Sequence, residues 1–460
     1  MSVFRYFRAI ILFTHYRFIK LNNPLKTIPV GLRWTSHGAM KTGADNYGNV
    51  MRRNKKIVDV SQNEILKTVD SSLSPSRVKN KAYTIGDYGA ADGSTTIGLI
   101  RNIIDIVREK CGKDQEIHVI YEDIPTNDLN CLVQRHNGDR DIILSYLLPI
   151  ATSYRHVLWS HPLKGDRDII PSYLLPIATS YRHVLWSHPL KGLIPEPRSY
   201  CLDYDNVYVT ASGTDFYKQC VPSNTFDLLM SFTAVHFLSR PIILTDSIYR
   251  LLSKNEEEKE VIKKLAAEDW LQFWKLRGKE LKQELYFYPG GCAIVSSVGE
   301  TETRMSIQNN FKLLNDILEK CVSDNIITKT EKENTTYAAC FRRQDEIKEP
   351  FVNSNVLTDL GLHLHQVKQE LVPCFYTAEW KQRLDTGVDD RDKFAHDFTS
   401  NVRTFTYSSI YRALDSNRSE QEKSIICDKF YKKYENALRN SYPPDLDSLN
   451  ILQVAYVKKK

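Results

Sequence analysis

The segment YTIGDYGAADGSTTIGLIRNIID, Tyr83 to Asp105, carries the plan of the chain. Tyr83 to Ile85 reads as the end of a buried strand, Gly89 and Gly93 bracket a tight turn, and Ile97, Ile100, Ile104 and Val107 recur at helical spacing. A strand, a glycine turn and a helix commonly open an α/β ligand site. Glycines admit a ligand close to the backbone, and the helix N-terminus offers free N–H groups. A P-loop needs G-x-x-x-x-G-K-[ST], and no lysine follows Gly93. A dinucleotide fingerprint needs G-x-G-x-x-G, whereas this turn reads G-A-A-D-G, with Asp92 where it would repel a pyrophosphate.

The carboxylates point elsewhere. Asp87 precedes the turn, Asp92 lies within it, and a second acidic strand end follows in EIHVIYED, Glu116 to Asp123. These suit a ligand with a cationic centre and a ribose diol, both of which S-adenosylmethionine has. The competing reading is an α/β turn with solvated carboxylates and no ligand.

At 460 residues, 42% hydrophobic and 26% charged, the chain has the composition of a soluble protein with a sizeable core, in one large or two smaller domains. Neither disorder nor a membrane span is indicated. The net charge of +6 is accounted for by Arg5, Arg8, Arg17, Lys20, Lys26 and Arg33, all in an N-terminal stretch without acidic residues. Residues 40–460 have no basic excess, which argues against a nucleic-acid partner. Nine scattered cysteines with no C-x-x-C pair suggest free thiols in a reducing compartment. His363 and His365 read as alternating residues of a strand or loop rather than half a metal site.

Residues 1–39 resemble an amphipathic organelle-targeting leader more than a secretory signal, unless Met40 is the true start. The corresponding locations are mitochondrial and cytoplasmic. Residues 40–80 read as polar and helical, with Ile65 and Leu66 as core contacts. Strands follow near Tyr83–Ile85, Ile117–Tyr121, Val207–Val209, Phe226–Ser231 and Cys292–Ser297, with a terminal strand in Ile451–Lys459. This alternation predicts a mainly parallel sheet with helices on both faces. Leu251–Trp270 reads as a charged helix with a Glu260–Lys264 pair. Residues 240–285 and 305–400 form an expected helical cap. Residues 138–192 hold a tandem repeat with a 27-residue period, whose copies differ only at Leu144 and Pro171. It is expected to be an insertion that adds nothing to the core, and its His156, His161, His183 and His188 are discounted as metal ligands.

Together, MKTGADNYGNVMRRN (Met40–Asn54), TIGDYGAADGSTT, YEDIPTNDLN (Tyr121–Asn130), SGTDFYKQCVPSNTFDLLMSFTAVHFLS (Ser212–Ser239) and LRGKELKQELYFYPGGCAIVSSVG (Leu276–Gly299) resemble the SABATH family of S-adenosylmethionine-dependent methyltransferases. The resemblance covers most of residues 40–460 outside the repeat. It implies a Rossmann-like class I methyltransferase sheet with a helical substrate-binding cap, S-adenosyl-L-methionine as cofactor, and methyl transfer to a carboxylate of a small organic acid or, in some members, to a ring nitrogen. It places Asp87 and Gly89 beside the methionine moiety, Asp123 on the ribose, Ile124 against the adenine, and Asp215 and Phe216 at further adenine contacts. Tyr47 would lie near both the sulfonium and the acceptor. His236 and Asn54 would hold the acceptor beside an apolar wall at Phe237. No metal, nucleic acid or membrane is implied, and a homodimer is allowed.

The departures cluster on the acceptor side. Phe237 stands at a tryptophan position and has no N–H donor, and Asn54 replaces a glutamine. Met51 replaces a small polar residue and Thr95 an asparagine. An N-methyltransferase acting on a small heterocycle and a catalytically idle small-molecule-binding protein are the alternatives.

Overall fold

The computed structural model describes residues 52–73, 75, 81–127, 129, 132, 135–136, 142–144, 199–283, 290–303, 306–440 and 448–457. Tyr47, Met51, the leader and nearly all of the repeat lie outside the described residues.

Eight strands form one sheet: β1 (Tyr83–Tyr88), β2 (Ile117–Asp123), β3 (Ile142–Leu144), β4 (Val207–Gly213), β5 (Leu228–Phe232), β6 (Cys292–Gly299), β7 (Leu362–Val372) and β8 (Ser448–Val457). Their order is β3-β4-β2-β1-β5-β6-β8-β7. The first six pair in parallel, while β8 runs antiparallel to both β6 and β7. From β1 the chain passes to β2 and then β4 on one side and returns to β5 on the other. The carboxyl end of β1 is therefore a topological switch point, where open α/β sheets bind ligands.

The helices are α1 (Arg52–Ser72), α2 (Ile97–Cys111), α3 (Glu256–Glu280), α4 (Gln308–Ser323), α5 (Lys329–Glu333), α6 (Gln344–Val352), α7 (Asn355–Asp359), α8 (Phe375–Asp385), α9 (Arg391–Ala413) and α10 (Glu420–Asn440). Strand side chains alternate between faces. Ile85, Val119, Leu228 and Ile294 pack with Val58, Ile65 and Val69 of α1 and Ile100 and Ile104 of α2. Ile120, Leu229 and Val295 pack with Trp270, Phe273 and Trp274 of α3 on the opposite face. Both faces are covered, as a parallel sheet requires. A further cluster joins Phe311 and Leu314 of α4, Trp380 of α8, Phe394, Phe398 and Val402 of α9, and Phe430 and Tyr434 of α10 with Phe237, Tyr337 and Phe341.

Three expectations change. The helix-rich tract contains β7, an 11-residue strand carrying His363 and His365, with a register shift between Leu364 and Gln366. The first turn of α3 pairs Lys259 with Glu256 at 2.5 Å, and Glu260 and Lys264 make no ion pair. Three residues of the first repeat copy, Ile142–Leu144, pair with Val209–Ala211 of β4, so that copy supplies a sheet edge. All eight described cysteines are free thiols.

Deleting residues 165–191, one period containing the second copy, retains Ile142–Leu144 and should leave the fold intact. Changing loop length costs only about 0.6 kcal/mol per doubling. Circular dichroism and thermal unfolding should match the full chain; aggregation of the deleted chain would show that the second copy is packed into the domain.

Candidate active site

The parallel strands bring Asp87, Asp123, Asp215 and His236 to one edge of the sheet, at or just beyond the carboxyl ends of β1, β2, β4 and β5. After β1 the chain turns at Gly89 (φ +72°), Ala91 (φ 53°) and Gly93 (φ +71°). A Cβ on Gly89 would sit 2.2 Å from the Ala234 Cβ, so the turn closes against the segment after β5 only because residue 89 lacks a side chain.

The second acidic strand end holds that turn. Asp123 Oδ2 accepts from Ala91 N at 2.6 Å, and its Oδ1 accepts from Ile124 N at 2.8 Å. Glu122 accepts from Gly89 N through both its backbone carbonyl (2.9 Å) and its side chain (3.3 Å). Asn127 of the DIPTN loop donates to Ala91 O at 3.0 Å. Asp87 accepts from Thr96 Oγ1 at 2.6 Å, and the Thr96 side chain makes no capping bond to α2.

Burial shapes the acidity of this group. It lifts Asp87 to about 7, with the Thr96 hydrogen bond opposing and the Asp123 charge adding to the rise. Burial also lifts Asp123 to about 6 against the two backbone N–H bonds. Glu122 is pushed well above the carboxylate range by burial and by Asp123 beside it. A cationic ligand would offset this by favouring the ionised carboxylates.

Asp92 takes a different role from the other acids. Its carboxylate accepts from Arg135 at 2.8 Å and from Ser94, and Arg135 Nε also bonds the Asp92 carbonyl at 3.1 Å. The charge that argued against pyrophosphate is thus committed to a buried ion pair within the fold.

After β4, Asp215 Oδ1 accepts from Tyr217 N at 2.9 Å, and Phe216 packs edge-on against Tyr217 and Phe273. Arg277 of α3, wholly buried, donates to Phe216 O (2.8 Å) and Lys218 O (2.9 Å) and pairs with Glu280. Glu280 in turn accepts from Tyr88 Oη at 2.9 Å and Cys220 N at 2.7 Å.

After β5, the His236 ring lies 4.5 Å from that of Phe237 and 5.4 Å from Phe341, centre to centre. Phe237 meets Tyr337 edge-on and bridges to Ala339. Thr233, immediately after β5, has φ 52°, a strained value for a β-branched residue. Asn54 is buried in the first turn of α1, and Ile124 is buried beside Asp123.

Sequence reading alone had not singled out Thr96, Arg135, Tyr217, Arg277 or Glu280. The signal available was a polar residue inside an otherwise apolar helical face, as with Arg277 and Glu280 beside Trp270, Phe273 and Trp274.

This sheet order, with an acidic strand end gripping a glycine turn, belongs to the fold of S-adenosylmethionine-dependent methyltransferases. The structure matches that of a loganic acid methyltransferase with SAH over 92% of this chain and 99% of that one, with a TM-score of 0.59 and 15% sequence identity. The family model for SAM dependent carboxyl methyltransferases matches residues 35–148 of this chain. The chain is 24% identical over 100 residues to paraxanthine methyltransferase 2 of Arabidopsis thaliana, a match taking in 20% of this chain and 28% of that protein's length.

The acidity of Asp87 has a consequence for stability. Its carboxyl rises from 3.8 to about 7 on folding, so between those values the folded state holds a proton that the unfolded state has lost. The contribution is fully present below the unfolded value and is lost as pH rises through the folded one. Asp87→Asn should therefore flatten the fall in unfolding free energy measured in urea between about pH 4 and 7. An unchanged slope would show that Asp87 is already ionised in the fold. Gly89→Ala should destabilise by about 2 kcal/mol or more, from the clash with Ala234 and the left-handed backbone.

Proposed function

We propose that the chain is an S-adenosylmethionine-dependent methyltransferase acting on the carboxylate of a small organic acid. The observation that carries this reading is Asp123, at the end of β2, with each carboxylate oxygen accepting one backbone N–H of the surrounding loops. An ionised carboxylate has about four acceptor positions, so each oxygen keeps capacity for a ribose hydroxyl. Gly89 lets this turn close against Ala234 beside the carboxylates. The residues present thus fit the cofactor: Asp87 and Gly89 toward the methionine moiety, Asp123 on the ribose, and Ile124, Asp215 and Phe216 around the adenine.

When bound, S-adenosylmethionine supplies a methyl group activated by a sulfonium. The chain's own task is to orient the acceptor and exclude water, and positioning can lower a barrier by roughly 7–11 kcal/mol in favourable cases. A carboxylate acceptor is already ionised near neutral pH, so no residue need act as a base. We assign His236 and Asn54 to hold the acceptor, Tyr47 to orient it, and Phe237 to form an apolar wall. The domain would run over residues 40–460, with the cap drawn mainly from 240–285 and 305–400.

Phe237 also favours a second reading. Its ring has no donor for a carboxylate, which suits a neutral heterocycle as acceptor; the curated relative is named for paraxanthine and the structural neighbour for loganic acid.

Asp123→Ala should weaken S-adenosylhomocysteine binding at least ten-fold by calorimetry, since a charge-assisted bond contributes about 1.5–3 kcal/mol. Unchanged affinity would remove Asp123 from the ribose. Asp92→Ala should instead appear mainly as lost stability, read by thermal unfolding, because it removes the carboxylate that meets buried Arg135 at 2.8 Å.

Turnover on a panel of small acids and ring nitrogens tests the acceptor side. Phe237→Trp should raise turnover of acids, offset by about 1–3 kcal/mol of overpacking against His236 and Tyr337. His236→Ala should depress it while sparing cofactor affinity. Methylation of ring nitrogens alone, by both native chain and Phe237→Trp, would replace the first reading with the second.

A further inference from the structure

We propose that Tyr217 is a positioning residue that couples the adenine segment to the acceptor segment, so that an occupied cofactor site fixes His236 and Phe237. The inference rests on the cofactor reading above.

Tyr217 Oη donates to the main-chain carbonyl of Phe237 at 2.6 Å in a buried setting. The donor is held at both ends of its own peptide. Arg277 bonds the carbonyls of Phe216 and Lys218 on either side, and the Asp215 carboxylate accepts the Tyr217 N–H. The Phe216 and Tyr217 rings touch, with centres 4.8 Å apart. A ligand seated against Asp215 and Phe216 therefore bears directly on the backbone from which the phenol extends.

The receiving segment is also held from β6 and from the cap side, with Thr233 N donating to Ser296 O at 2.8 Å. Arg342 donates to Val235 O and to Ala266 O of α3, Cys340 N donates to His236 O, and Asp269 accepts from Ser239 N. Tyr217 is its hydrogen bond to the adenine segment. Opening of residues 233–240 at Phe237 must break that bond, so whatever stabilises 214–221 also opposes this opening. Burial pushes the Tyr217 phenol well up, which keeps it a donor at neutral pH.

Amide hydrogen exchange on the full chain, with S-adenosylhomocysteine as the probe, tests this without knowledge of the acceptor. In the native chain the probe should slow exchange in peptides covering 214–221 and also 233–240, each by about ten-fold. Tyr217→Phe retains the ring and its contact with Phe216. It should keep the protection of 214–221 and lose that of 233–240. Equal transfer of protection in Tyr217→Phe would overturn the coupling, as would native protection confined to 214–221, a result that needs no variant to fold. Failure of the probe to protect 214–221 at all in the native chain would overturn the cofactor reading itself, and the inference with it.

Discussion

Carboxylates gathered away from water at the ends of β1 and β2 set the terms for everything around them. Asp87 and Glu122 are buried at these ends, Asp123 lies partly buried beside them, and buried Glu280 of α3 reaches Tyr88 at the end of β1; a buried ionised carboxylate is costly unless it is paired or hydrogen-bonded. Each is met differently. Glu280 has Arg277, Asp123 has two backbone N–H groups, Asp87 has the Thr96 hydroxyl, and Glu122 is driven toward its protonated form. The glycine turn has its shape because its amides are the donors for two of these acids. The fold thus disfavours the ionised forms of Asp87, Glu122 and Asp123, which a nearby positive charge would restore.

The helix α3 extends this constraint across the domain. Its C-terminal turn supplies Arg277 and Glu280 to the end of β1 and the loop after β4, while Asp269 accepts from Ser239 N and Ala266 O holds Arg342, which bonds Val235 O. Its aromatic face, Trp270, Phe273 and Trp274, covers the sheet. One helix thus packs the core and ties together loops from three strands, which explains why its interior mixes tryptophans with fully buried charges. Those charges contribute less to net stability than to geometry, since a buried ion pair often does no better than an apolar replacement.

The segment after β5 is built on different principles. His236 and Phe237 are embedded among Tyr337, Phe341, Tyr249 and Phe311, so the wall of this region is aromatic and its hydrogen bonds are largely main-chain.

Local patterns in the chain were enough to define the strand–turn–helix unit, the parallel core strands and the terminal strand, because hydrophobic periodicity and positive-φ glycines act over a few residues. They also placed Asp87 and Asp123 at strand ends, since strand ends coincide with composition breaks, whereas Asp215 was placed only by the family resemblance. The edge strand Leu362–Val372 was hidden because its side chains are half exposed and its pairing partner, Ser448–Val457, lies beyond three intervening helices. The charge of Asp92, read locally as a barrier to anions, is cancelled by Arg135 from a distant segment. Likewise, nothing near Tyr217 in sequence announces that its hydroxyl meets Phe237, twenty residues on and across two strands of the sheet. Sequence alone determined the elements and the acidic residues at their ends; which acid is neutralised, which keeps its proton and which loops move together depended on partners far apart along the chain, because Coulomb and hydrogen-bond energies follow distance in space.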